Sequence, residues 1–306
     1  MNIRILGGQL LCALCTSTLL SSGTLAHDTN SKRIDSHAPI GVMADHFHKK
    51  GELMASLRGM TMDMNDPVST TMGPQSMTMN MAMLGLMYAP SDTVTFMGMI
   101  NYVDTSMDMI MMGNTQKMGA SNIGDLTLSA MIALHDSKDS RFHITLGTSV
   151  PTGSTKGTNS MGSPLALTMQ TGTGSWGFTP SATYTKFMNG WSFGAQANAK
   201  IWLDDNATGE RMGDQFELTS WAAFMLNDAV SFSTRAAYSD RNAVSGSMMS
   251  ALTDARQVAW GYAGFNTTVG AGHRLAIEAG LPVWQDKNAN ALDMGLTLTV
   301  GCQKAF

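Results

Sequence analysis

The 306-residue chain is 43% hydrophobic but only 14% charged, with a formal net charge of −4. Soluble domains carry roughly 25% charged residues, so an ordinary water-exposed surface is hard to build from this composition. The small charge argues against nucleic acid or another polyion as partner. Past the first 26 residues no apolar run reaches the roughly 18 residues that a transmembrane helix needs.

The N-terminus reads as a leader. Arg4 supplies a positive start, Ile5 to Leu20 is mostly apolar, and Thr24-Leu25-Ala26 gives a small-x-small site before His27. Residues 1–26 are therefore expected to be a cleaved secretory signal peptide. Cys12 and Cys15 would leave with it, so Cys302 would stand alone and the mature chain would hold no disulfide. A secreted chain without helical spans can still cross a membrane as a closed barrel, because closure pairs every backbone group. Residues 27–52 precede the first strand and are expected to lie in the periplasm or inside the barrel as a plug.

Twelve strands follow, each with the period of two that sends alternate side chains to opposite faces. In residues 53–62, Leu53, Ala55, Leu57 and Gly59 oppose Met54, Ser56, Arg58, Met60 and Met62. Arg58 marks the second face as interior, since a cation at lipid mid-depth costs about 2–4 kcal/mol. The strand over 77–88 carries Leu84, Leu86 and Tyr88 outward. The next sets Phe96, Gly98, Ile100 and Tyr102 against Met97, Met99 and Asn101. Leu126 to Leu134 oppose Asp125, Thr127 and Ser129, and Phe142 to Val150 oppose His143, Thr145 and Ser149. Phe178 to Tyr184 and Trp191 to Leu203 come next, the latter against Gln196, Asn198 and Lys200. Phe216 to Leu226 and Val230 to Tyr238 follow, with Arg235 inward. The last three strands carry Val258, Trp260 and Tyr262; then Leu275 to Leu281 with Glu278 inward; then Met294, Leu296, Leu298, Val300 and Cys302 against Gly295, Thr297, Thr299 and Gly301.

Connections alternate in length. Short turns fall near 89–92, 136–140, 188–190, 227–229 and 270–273, and long loops near 65–76, 104–121, 151–175, 204–214, 239–255 and 285–291. Short periplasmic turns with longer outer loops are the asymmetry of outer-membrane barrels. The expectation is an all-β fold: a transmembrane antiparallel up-and-down β-barrel of about twelve strands over residues 53–306, both termini periplasmic, in the outer membrane of a Gram-negative cell. Its partners would be the lipid bilayer, a small-molecule or metal-ion cargo and the barrel-assembly machinery. No motif asks for a cofactor.

Particular segments carry a resemblance. Ser36 to Met43 with Asp45-His46 and Lys49 to Glu52, Met81 to Pro90, Ser121 to Leu126, Leu146 to Gly153, and Gly213 to Glu217 resemble a Met-rich branch of a bacterial outer-membrane family. That transporter-like family is named for the meta-cleavage pathway of phenol degradation. The resemblance spans residues 36–306 and implies a β-barrel and passage of small molecules.

Methionine is the chemical signature. Of 28, 18 lie between Met43 and Met118. Met60 and Met62, Met79, Met81 and Met83, and Met97 and Met99 would put thioethers on the interior face of three adjacent strands. Thioethers favour soft ions such as Cu(I) and Ag(I). Methionine also fills irregular space and makes an adaptable apolar lining, which suits an apolar or aromatic solute or a filled interior. Asp45-x-x-His48 with His46 has ligand types for a borderline divalent ion, but short motifs of this kind also occur in ordinary hydrogen bonding.

Arg58, Asp125, Arg141, His143, Lys200, Glu217, Arg235 and Glu278 are the expected interior ionisable residues. They would either form a selective constriction or pair across the lumen. No Gly-x-Ser-x-Gly elbow or other nucleophile-base pairing occurs, so catalysis ranks below transport, with a structural barrel as the third class.

Overall fold

The computed structural model describes residues 33–65, 73–111, 113–246, 255–270, 272–288 and 291–306. The expected leader lies outside these residues, as do 66–72 and 247–254 of two long loops. The strands are β1 (Leu53–Asn65), β2 (Gly73–Tyr88), β3 (Val94–Met111), β4 (Asn114–Ile123), β5 (Leu126–Asp136), β6 (Ser140–Val150) and β7 (Gly177–Phe178). They continue with β8 (Ser181–Met188), β9 (Trp191–Trp202), β10 (Gln215–Met225), β11 (Val230–Arg241), β12 (Arg256–Val269), β13 (His273–Lys287) and β14 (Asp293–Ala305).

These fourteen segments make twelve barrel strands. β3 pairs Tyr102 with Ile123 of β4 and Met99 with Thr127 of β5, so β4 and β5 are halves of one strand interrupted at Gly124-Asp125. β7 and β8 likewise share neighbours β6 and β9 and are interrupted at Thr179-Pro180, where proline has no N–H to give the ladder. All pairings are antiparallel. β1 closes on β14 from Met54↔Ala305 to Asn65↔Asp293, which joins the two ends of the sheet. The chain is a closed, twelve-stranded antiparallel β-barrel.

Its outside is apolar. Leu84, Leu86, Phe96, Leu128, Leu134, Leu146, Tyr184, Leu218, Ile277 and Leu281 all project from it, mostly 40–56% exposed. A continuous surface of this kind is stable against lipid and not against water. Asn80, exposed on the same face of β2, lies toward the long-loop rim beside the exposed Thr78–Asp63 hydrogen bond. The short turns sit at the other rim, where Leu53 and Phe306 exchange backbone hydrogen bonds.

Three details differ from the sequence-based expectation. The span 104–121 is not a loop. β3 runs on to Met111 and returns as β4, a hairpin whose second strand has a neighbour on one side only. On β12 the bulky residues face inward: Val258, Trp260 and Tyr262 pack with Ala237, while Ala259, Ala263 and Phe265 point out. Alternation of bulky and small apolar residues carries no sign of which face meets lipid. Finally, Met294 does not continue the outward row of Leu296 and Leu298. A register shift opposite Met62 and Met64 inserts an extra residue, and Met294 turns in to pack with the Trp260 cluster.

Candidate functional site in the barrel interior

Residues 33–52 enter at the short-turn rim, reach into the barrel and come back to it. Arg33 donates to the carbonyls of Met188 (2.8 Å) and Trp191 (3.2 Å) at one end of this segment. At the other, Gly51 N–H donates to Ala89 O at 2.8 Å and Lys50 N–H to Asp92 Oδ1 at 2.9 Å. Between them Ile34, Ala38, Ile40, Val42, Asp45, His46, Phe47 and His48 are buried.

The wall supplies the hydrogen bonds that an irregular buried backbone requires. Arg274 Nη2 donates to Ala38 O (2.8 Å), Arg58 Nη1 to Val42 O (3.3 Å), Gln196 Nε2 to Met43 O (2.8 Å) and His143 Nε2 bonds Ala44 O (2.9 Å). Thr95 Oγ1 accepts from His48 N–H at 2.9 Å. Donors from β1, β9 and β6 thus converge on the consecutive carbonyls of Val42, Met43 and Ala44, and one from β13 takes that of Ala38. Apolar contacts complete the seat: Ala44 and Phe47 pack with Met54, Met87 and Met131, and Ala38 and Val42 with Trp221.

Above the apex of the segment lies a buried ion pair, Arg235 with Glu278, bonded at 3.0 and 2.8 Å and capped by the Tyr262 ring 3.6 Å from the guanidinium carbon. Gly41 packs directly against it. Within the segment Ala44 holds φ at +50°, a left-handed conformation that costs a non-glycine residue about 1–2 kcal/mol. That turn brings Asp45 and His46 back beside His37. Burial would raise the Asp45 carboxyl, but His46, by charge and hydrogen bond, then His37 and Arg274 hold it well below the usual carboxylate range. Burial drives His46 down to about 4 against the pull of Asp45, and burial with His46 and Arg274 keeps His37 well below its usual value.

The inward methionines of β1–β4, joined by Met131 of β5 and Met169 of the loop over 151–175, form three tiers on the face shared with buried Arg58. At the short-turn end Met54, Met87, Met97 and Met131 pack around Phe47. At the long-loop end Met77, Met107, Met109, Met118 and Met169 pack around Leu165, which the loop over 151–175 folds inward. Between them Met60, Met62, Met79, Met81, Met83 and Met99 are half-buried and belong to neither cluster. Here Met60 stands opposite Met81 and Met62 opposite Met79.

Residues 65–263 match the family described as "Putative MetA-pathway of phenol degradation". The chain belongs to this family. Among solved structures, it is similar to an outer-membrane channel from Pseudomonas putida F1, with 14% identity and a TM-score of 0.68, covering 86% of this chain and 98% of that one. It is also similar to the β domain of the Bordetella autotransporter BrkA, at 13% identity and a TM-score of 0.50 over 84% of this chain and all of that one. No curated protein matches it. At such identities the solved structures share the fold with this family member.

The candidate residues thus fall into separate groups. Arg58 and His143 hold the inserted segment, and Arg235 and Glu278 pair at its apex. Arg141 stacks over Phe47 and Phe187 and approaches Asp136. Asp125 serves the long loop, accepting from Gly153 N–H (2.9 Å), Thr173 N–H (3.0 Å) and Thr173 Oγ1 (2.6 Å). Lys200 lies over the Trp202 ring, and Glu217 bonds Asn198. His48 is drawn to Glu52 at 3.2 Å, while His37 takes the place beside Asp45 and His46. Met131 and Arg274 were missed by sequence reasoning, and Gln196 was placed inward without a role. The period of two places all three inward; nothing in the chain marks what they touch.

Proposed function

We propose that the chain is an outer-membrane channel or transporter for a small solute, with its short turns in the periplasm. Residues 33–52 act as a plug at that rim, and the middle methionine tier contacts the cargo. The observation that carries this reading is the division of labour among the methionines. The upper and lower tiers are filler, packed against the folded-in loop and the inserted segment. Among the described residues the middle tier joins neither packed cluster, which leaves six flexible thioethers available to a cargo. Facing thioethers offer weak, repeated contacts to a polarisable cargo. A soft ion such as Cu(I) or Ag(I) fits the opposed pairs Met60–Met81 and Met62–Met79. An apolar or aromatic solute fits the same wall through dispersion and sulfur–ring contact.

Conductance of the refolded protein in planar bilayers separates these. Replacing Met60, Met62, Met79 and Met81 together by Leu keeps volume and apolarity but removes sulfur. The soft-ion reading expects Ag(I) to reduce wild-type conductance, Mg²⁺ to leave it alone, and the Leu variant to lose the Ag(I) effect. Equal Ag(I) response in both proteins removes that reading and leaves the apolar solute. A barrel that conducts under no condition and takes up no aromatic tracer would remove the channel reading altogether.

A further inference from the structure

His37, Asp45 and His46 each present a ligand atom, and these atoms lie within 4.8 Å of one another. His46 Nδ1 is 3.0 Å and His37 Nδ1 3.9 Å from the Asp45 carboxylate. The two imidazole rings meet edge to face with centroids 4.0 Å apart. His46 is only 7% exposed, yet among the described residues its Nε2 has no hydrogen-bond partner, and His37 Nδ1 is likewise buried without one. Buried polar atoms in native interiors are nearly always paired, so two orphaned imidazole nitrogens beside one carboxylate ask for an occupant. A cavity of about 120 Å³ borders the cluster; its lining holds His37, His46, His48 and Glu52 and also basic side chains, Arg141, Arg274 and Lys304 among them. It has room for a water, and the His48 ring is 4.8 Å from that of His46, its own Nε2 unpartnered among the described residues.

We propose that His37, Asp45 and His46 bind a borderline divalent cation of the Zn²⁺ or Cu²⁺ class, with water or His48 as fourth ligand. Two imidazoles and one carboxylate suit such ions, whereas Ca²⁺ and Mg²⁺ want oxygen alone and Cu(I) prefers the thioethers. Zn–N bonds of about 2.0–2.1 Å put tetrahedral ligand atoms about 3.4 Å apart, so binding would draw the three side chains in from their present spread of up to 4.8 Å. Arg274 lies close, but it is engaged with Gln303 (2.6 Å), Asn266 (2.9 Å) and Ala38 O (2.8 Å), so it adds unfavourable charge without occupying a ligand atom. His37 belongs to the inbound arm of the inserted segment, Asp45 and His46 to the returning one. The ion therefore staples the two arms across the turn at 38–44, which makes the seating of the segment metal-dependent. This inference is independent of which solute crosses the barrel.

The test is Zn²⁺ titration of the chelator-stripped, folded barrel in detergent by calorimetry, with heat-modifiable gel migration confirming the fold of each variant. One equivalent should bind the wild type. His46→Ala and His37→Ala should each weaken binding at least tenfold, while His135→Ala and the Met60/Met62/Met79/Met81 Leu variant keep wild-type affinity. Should His46→Ala fail to fold, His37→Asn is read by the same criterion, since His37 is the more exposed ligand. Absence of one-equivalent binding to the wild type, or unchanged affinity in the His37 variants, overturns the proposal. Loss of Zn²⁺ binding in the Leu variant alone also overturns it, by moving the site to the methionines.

Discussion

Gly41 is the point where the inserted segment and the wall come closest. A Cβ there would fall inside contact distance of both Glu278 Oε2 and Arg235 Nη2. Neither can swing away freely, because each is held by the other in a buried, bidentate pair. Gly41→Val should therefore lift the segment or spread the pair and destabilise the barrel by about 1–3 kcal/mol, as overpacked interiors do. Gly59→Ala is the matched comparison: its Cβ would meet Val300 at an ordinary 3.6 Å and should be neutral. Urea midpoints of the two variants in lipid or detergent check this, and equal midpoints would mean that the segment is not seated against the pair. At this scale the sequence was only partly legible. Arg58, Arg235 and Glu278 declared an interior because charge is excluded from lipid. The grouping of His37 with Asp45 and His46 was hidden, since it depends on a turn whose left-handed member is Ala44, a residue with no preference for that conformation.

At the scale of elements, the loop over 151–175 behaves unlike a solvated connection. Leu165, Leu167 and Met169 are buried, and Gly153 and Gly172 touch so closely that a Cβ on either would meet the other's backbone. Asp125, in the break between β4 and β5, ties both ends of the loop through three bonds to its carboxylate. Bonds to an ionised group contribute about 1.5–3 kcal/mol each. Asp125→Ala should thus free the loop while the ladder of β3, β5 and β6 stays intact. Limited proteolysis of the folded barrel should cut within 151–175 at least tenfold faster, each factor of ten standing for about 1.4 kcal/mol of easier opening. An unchanged cleavage rate would place the loop's stability in its apolar contacts with Met77 and Met107 instead. The strands themselves were legible because the period of two survives over ten or more residues and polar positions fix its phase. Where both faces are apolar, as on β12, the phase is lost, and Trp260 and Tyr262 look like lipid anchors. Leu165, Leu167 and Met169 sit in a Gly/Ser/Thr-rich setting that reads as solvated loop, so their burial had no local signal.

For the whole molecule, the barrel and its contents are separable in principle. Closure rests on β1 and β14 and on eleven further strand neighbours, none of which uses residues 33–49. The contents rest on donors that the wall provides for the segment's carbonyls: Arg274, Arg58, Gln196 and His143. If residues 33–49 are removed, those donors lose their partners, but water can enter from the short-turn rim and hydrate them. The Arg235–Glu278 pair keeps its own bonds. The barrel should therefore still fold, and its single-channel conductance should rise several-fold, because a lumen crossed by a packed segment becomes one lined by hydrated polar side chains. Planar-bilayer recording of the deletion beside the full chain measures this. Equal conductance in the two would mean that ions bypass the segment along the β1–β4 wall, where the middle methionines lie, and the constriction would then have to be sought at the folded-in loop of the opposite rim.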